Sequence, residues 1–159
     1  MVTIGDVMGV VAFLVGLGGT AWAMTVAIGL LFPEHTARAS GATKGAFVRG
    51  LPLLLAGVLA VALLSAGPGM KLMGWTILLA VLALAALGLA GLSRMAGRRV
   101  GLLAPEMGEY PAFLRGAGFL VAACLFPVLG WFLFAPAAFV VALGAGLSGV
   151  SRRFSPVEA

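Results

Sequence analysis

Residues 117–147, AGFLVAACLFPVLGWFLFAPAAFVVALGAGL, form an uncharged run of 31 residues whose reading decides how the chain is organised. As one α-helix the run would be about 46 Å long, more than a bilayer core of about 30 Å needs, while two full spans need about 40 residues. Near its middle stands Pro127-Val128-Leu129-Gly130-Trp131, with Pro136 shortly after. Proline removes a backbone donor and glycine permits a reversal, so the run divides there. With Pro111 opening one arm and Arg152 closing the other, the arms are helices over about 111–126 and 131–151. The sequence thus predicts a C-terminal helical hairpin, short enough to be re-entrant, with shielded or interfacial backbone at its tip.

Three more apolar blocks lie upstream. The first, about 7–32, carries no charge and is long enough for a tilted span. Ala21-Trp22-Ala23 resembles a signal-peptidase site, but Asp6 stands where a basic residue would precede the apolar run, and hydrophobicity continues past the supposed cut. The second block, about 46–66, has Pro52 near its beginning, where first-turn N–H groups lack partners anyway. The third covers about 72–92, and Ala66-Gly67-Pro68-Gly69 between them is a turn too short for anything but an antiparallel helix pair. The expectation is an all-α polytopic membrane protein, a single domain over 1–159 with three full spans plus the hairpin. Composition agrees: of 159 residues 62% are apolar and only 9% charged, with 24 Gly and a mean hydropathy of +1.18. That excludes a soluble globular domain, which carries roughly 25% charged residues.

Charge placement orients the blocks, because cytoplasmic loops collect Lys and Arg. Arg38, Lys44 and Arg49 follow the first block, Lys71 lies between the second and third, Arg94, Arg98, Arg99 and Arg115 precede the fourth, and Arg152 and Arg153 end it. If the fourth block returns to its starting side, nine of these ten share one face; if it crosses once, the split is seven to three. The hairpin is therefore expected with the N-terminus outside and both long loops and the C-terminus cytoplasmic, as in a bacterial inner membrane. Thiol labels at position 71 should then react from outside, and labels at 98 and 153 only from inside.

Little in the chain is chemically reactive. Proton relays and substrate sites within membranes use Asp, Glu, Lys, Arg or His, and the only such residue in the four apolar blocks is Arg49, at the start of the second. Thr20, Thr25, Ser65, Thr76 and Cys124 are the polar groups there, expected to bond within or between helices. His35 with Glu34 falls just after the first span and has no companions for a metal site. Cys124 is the only cysteine, so no intramolecular disulfide can form. Glu106, Glu109 and Tyr110 precede the hairpin without a nucleophile beside them, and Glu109 suits the start of a helix opened by Pro111. No enzyme, metal, cofactor or nucleic-acid role is expected. Trp22, Trp75 and Trp131, with Phe32, Phe47, Phe113 and Phe154, read mostly as ring anchors at span ends.

Partners are more readily argued. Arg94, Arg98, Arg99 and Arg115 are candidate contacts for anionic lipid headgroups, at about 1 kcal/mol per charge, or for a cytoplasmic protein. Small residues in Gly16-Leu17-Gly18-Gly19, Gly88-Leu89-Ala90-Gly91 and Gly144-Ala145-Gly146 allow close helix approach within one chain or in a homo-oligomer.

In order along the chain, Leu30-Leu31-Phe32-Pro33, Gly67-Pro68-Gly69 and Pro127-Val128-Leu129-Gly130-Trp131 resemble the small bacterial membrane regions associated with bactofilins, the polymer-forming cytoskeletal proteins. Glu34-His35 stands where those regions usually have a basic pair, and no β-helical polymer segment accompanies these residues. The resemblance implies a cytoskeletal partner bound in trans and no catalytic residues. Two functions are thereby framed: a membrane scaffold that anchors or organises a cytoplasmic assembly, and an oligomeric passive channel or facilitator for a small neutral or apolar solute.

Overall fold

A computed structural model describes residues 4–104 and 106–151. The described residues are all-α, with six helices: α1 (Ile4–Leu31), α2 (Pro33–Gly41), α3 (Ala46–Ser65), α4 (Pro68–Leu103), α5 (Glu109–Leu125) and α6 (Ala135–Val150), the last preceded by a π-helical segment, Gly130–Phe134. Among the described residues four stretches are long and apolar enough to cross a membrane: α1, α3, residues 69–103 of α4, and residues 130–150. This is an all-α polytopic membrane fold.

Several boundaries differ from the sequence reading for identifiable reasons. The stretch after Phe32 is not a loop but α2, opened by Pro33 in the first turn, with Glu34 near its start and Arg38 in its last turn. Its Thr36, Ala39 and Ser40 are buried against α4 and α6. Helix α4 ends at Leu103 rather than near 92, so Arg94, Arg98 and Arg99 stand on a helix and not in a loop. Ser93, Arg94, Met95 and Ala96 continue the helix, and Gly97 gives it a small face against the Ala112 backbone of α5. Pro52 is the seventh residue of α3, inside the helix rather than in its first turn.

Helix α4 is the centre of the bundle. It touches every other helix, with α1 and α5 on one side and α3 and α6 on the other. Backbones approach closely at small residues: Gly50 lies against the Val140 carbonyl, Gly144 against Ala46, Gly88 against Ala142 and Gly146 against Leu84. A Cβ at any of these glycines would strike main chain. Larger apolar side chains fill beside these seams, as where Val81, Ala85 and Leu143 pack with Leu53, Leu54 and Phe139. In a lipid solvent this close van der Waals contact takes over from hydrophobic burial as the force joining helices.

The hairpin breaks as expected at Pro127, by a different device. Phe126, just before proline, is extended (φ −60°, ψ 124°), as the Pro ring requires of its predecessor. The reversal falls on Val128, whose φ is +65°, and the Leu129 N–H bonds to the Pro127 carbonyl at 2.8 Å across it. That is the rare γ-turn with a left-handed centre. Gly130 serves close approach instead: a Cβ there would lie 2.6 Å from the carbonyl oxygens of Ala123 and Cys124. Pro136 cannot donate to the turn before it, and the helix widens upstream so that the Ala135 N–H reaches the Gly130 carbonyl. A β-branched residue in this conformation costs about 1–2 kcal/mol. Val128→Gly should therefore raise the unfolding free energy in detergent by about 1 kcal/mol. An unfolding midpoint lower than the parent's would show that the Val128 side chain, 68% exposed, contributes more than its backbone costs.

The arms diverge from this tip, α5 lying along α1 and α4 while α6 lies along α4, α3 and α2. Leu125, at the end of α5, packs on Gly18, the middle of α1, and Phe113, near the start of α5, packs on Gly29 near the end of α1. At the far end of α6, Gly149 lies against the His35 carbonyl and Ala39 of α2. Both ends of the hairpin thus lie at the end of the bundle where α1 stops and α3 starts, and its tip is level with the middle of α1.

Candidate functional site

That end of the bundle gathers Arg38, Lys44, Arg49, Arg94, Arg98, Arg99 and Arg115, while Lys71 lies at the other, beside the α3–α4 turn. Arg152 and Arg153 fall outside the described residues. Two of these arginines hold the fold together. Arg49, in the first turns of α3, sits where a cation opposes the helix dipole. It turns back to donate to the carbonyls of Ala42 (3.1 Å) and Lys44 (2.6 Å) and to the Ser148 hydroxyl of α6. Arg94 is half-buried, donates to the Pro33 carbonyl at 3.2 Å and lies over the Phe113 ring at 5.9 Å, joining the α1–α2 corner, α4 and α5. Arg98, Arg99 and Arg115 are exposed.

Between α1, α4 and α5 this end holds a cleft of about 360 Å³. Arg94, Gly97, Arg98 and Gly101 line it from one face of α4, at the spacing of successive turns, and Glu109, Tyr110 and Phe113 line it from α5, with Leu30 of α1 closing the side. Arg99 and Arg115 are not among its walls. Glu109 is the first residue of α5, in the position where a carboxylate complements the helix dipole.

Most of the span hydroxyls have local partners. Thr20, Thr25, Ser65 and Thr76 each donate to the carbonyl four residues back. Glu34 pairs with Arg38 at 3.8 Å, an exposed i,i+4 contact worth at most about 0.5 kcal/mol. His35 packs edge-on to Phe32, centroids 6.1 Å apart. Among the described residues no three of His, Cys, Asp and Glu come together. Ser93, fully buried and without a hydrogen-bond partner for its hydroxyl, lies where α4 meets Gly116, a contact that uses its small size.

Trp22 is not an end anchor. It lies within α1 and donates from its indole N–H to the Leu114 carbonyl of α5 at 3.1 Å, tying α1 to the hairpin. Trp131, 54% exposed, lies at the hairpin tip, where it borders an apolar cavity of about 320 Å³ with Leu17, Thr25, Leu89 and Cys124. The inward roles of Arg49 and Ser148 went unread in the sequence. The available signal was a cation in the first turns of an apolar helix, where only acceptors from elsewhere can satisfy it.

The fold and this basic end define a polytopic helical membrane protein. Family models, curated proteins and solved structures contain no match to the chain.

Proposed function

We propose that the protein is a non-catalytic membrane scaffold, with its N-terminus outside and its basic end at the cytoplasmic face, holding a cytoplasmic assembly there. The observation that carries this reading is the contrast between an apolar interior and an exposed basic end. The helices meet through backbone seams at Gly50, Gly88, Gly144 and Gly146, and the span hydroxyls bond their own helices. Arg99 and Arg115 stand exposed outside both the clasps and the cleft, with no internal work for their charge. A bactofilin-like polymer bound in trans is the assembly that the sequence resemblance suggests.

The test is capture in mild detergent of proteins bound to the parent and to Arg99→Gln/Arg115→Gln. Two exposed charge pairs amount to about 1 kcal/mol, so the variant should hold its partner about fivefold more weakly while staying inserted. Salt should weaken the parent complex too, since exposed charges are screened beyond about 8 Å at physiological ionic strength. Retention of every partner together with loss of solute flux in liposomes would replace the scaffold by an oligomeric channel.

A further inference from the structure

The cleft at the basic end combines features that the scaffold reading does not use. Arg94 and Arg98 are one turn apart on the same face of α4, with Gly97 between them and Gly101 beyond. Gly97 seats the α5 backbone closely against α4, and Gly101 leaves room beside the two long cationic side chains. Arg94 is already fixed by the Pro33 carbonyl and the Phe113 ring, and its guanidinium has five N–H donors, of which that carbonyl takes one. A fork of this kind fits phosphate oxygens without further ordering. The cleft also has an apolar side, formed by Leu30, Met107 and Phe113. It adjoins the end of α1, just before the chain passes from apolar residues to the polar α2.

Glu109 is the informative wall. A carboxylate facing two arginines across an anion recess would repel a simple phosphate, yet it lines the same cleft from α5. A ligand carrying an anion and a cation a few bonds apart satisfies both walls. We propose that this cleft binds the headgroup of a phospholipid bearing a phosphate diester and a primary ammonium, with the phosphate on Arg94 and Arg98 and the ammonium on Glu109. Tyr110 supplies a phenol beside the same groups, and the glycerol end lies against Leu30, Met107 and Phe113. The proposal rests on the basic end lying at headgroup level, as the scaffold reading also has it.

The experiment measures lipid retained by the purified full chain in detergent, by mass spectrometry, after exchange with phosphatidylethanolamine, phosphatidylglycerol or phosphatidylcholine. Phosphatidylethanolamine should be retained about tenfold above the other two, because the glycerol headgroup offers no cation and the choline no N–H donor. Glu109→Gln should abolish the preference over phosphatidylglycerol, and Arg98→Gln should reduce retention of both lipids about tenfold. Arg99→Gln, outside the cleft, should change neither. Glu109, Arg98 and Arg99 are all exposed, so helix content and elution volume should match the parent's. Equal retention of the three lipids by the parent, or an unchanged preference in Glu109→Gln, overturns the proposal. Displacement of the lipid by millimolar inorganic phosphate, with the same dependence on Arg98, overturns it in favour of a free-phosphate site. Failure here is separate from failure of the scaffold: Glu109→Gln leaves Arg99 and Arg115 intact, so a captured cytoplasmic partner should stay bound whichever lipid is retained.

Discussion

Gly88→Ala should destabilise the bundle by about 3 kcal/mol or more, while Gly16→Ala, the same change in chemistry, should leave it unchanged or make it up to about 1 kcal/mol more stable. The difference lies in what the added methyl meets. At Gly88 it would run into the backbone of Ala142, with the Ala142 Cα only 2.8 Å away, and main chain in the middle of two packed helices cannot turn aside as a side chain can. The seam must open, and with it the neighbouring contact of Gly146 on Leu84. At Gly16 nothing lies within 4 Å, so the methyl only removes freedom from the unfolded helix. Unfolding midpoints in detergent, with helix content followed by circular dichroism, separate the two. A Gly88→Ala protein that unfolds with the parent's midpoint would mean that α6 does not rest on α4 in this register.

Hydropathy made the spans legible because a bilayer demands about 20 apolar residues per crossing, a demand any reader of the sequence can count. The hairpin was legible for the same kind of reason: 31 uncharged residues with Pro127 near the middle fit neither one span nor two. The device that reverses the chain was not. Glycine is the residue expected to take a positive φ, and here Val128 takes it while Gly130 lets the arms approach. Only the three-dimensional crowding of Ala123 and Cys124 around Gly130 decides that. Helix α2 was missed because nine residues with few apolar side chains carry no periodic signal, and its burial comes from fitting Ala39 against Gly91 and Gly149. The basic cluster was legible as composition but not as roles. In sequence Arg49, Arg94 and Arg99 are three equivalent charges; in space the first binds carbonyls and Ser148, the second lies on Phe113 and the third is exposed.

Single thiols placed in a Cys124→Ala background should report a hairpin that enters and leaves by one face. An impermeant maleimide added outside should label position 71 fully and positions 98 and 151 only after the membrane is opened. The argument begins with charge. Arg38, Lys44, Arg49, Arg94, Arg98, Arg99 and Arg115 share one end of the bundle, the asymmetry that keeps such an end on the cytoplasmic side. Packing then fixes the hairpin to that end, since α5 starts beside Gly29 and α6 finishes beside His35 and Ala39. Its tip is level with Gly18, half-way along a 28-residue helix. A thiol at position 128 should accordingly resist the reagent from both sides, because an impermeant maleimide does not enter the apolar layer and the thiolate it needs is disfavoured away from water. Two full crossings by the hairpin would instead put position 128 at the outer surface, labelled as readily as position 71. A single crossing would expose position 151 outside, and either pattern would remove the one-faced hairpin from the fold.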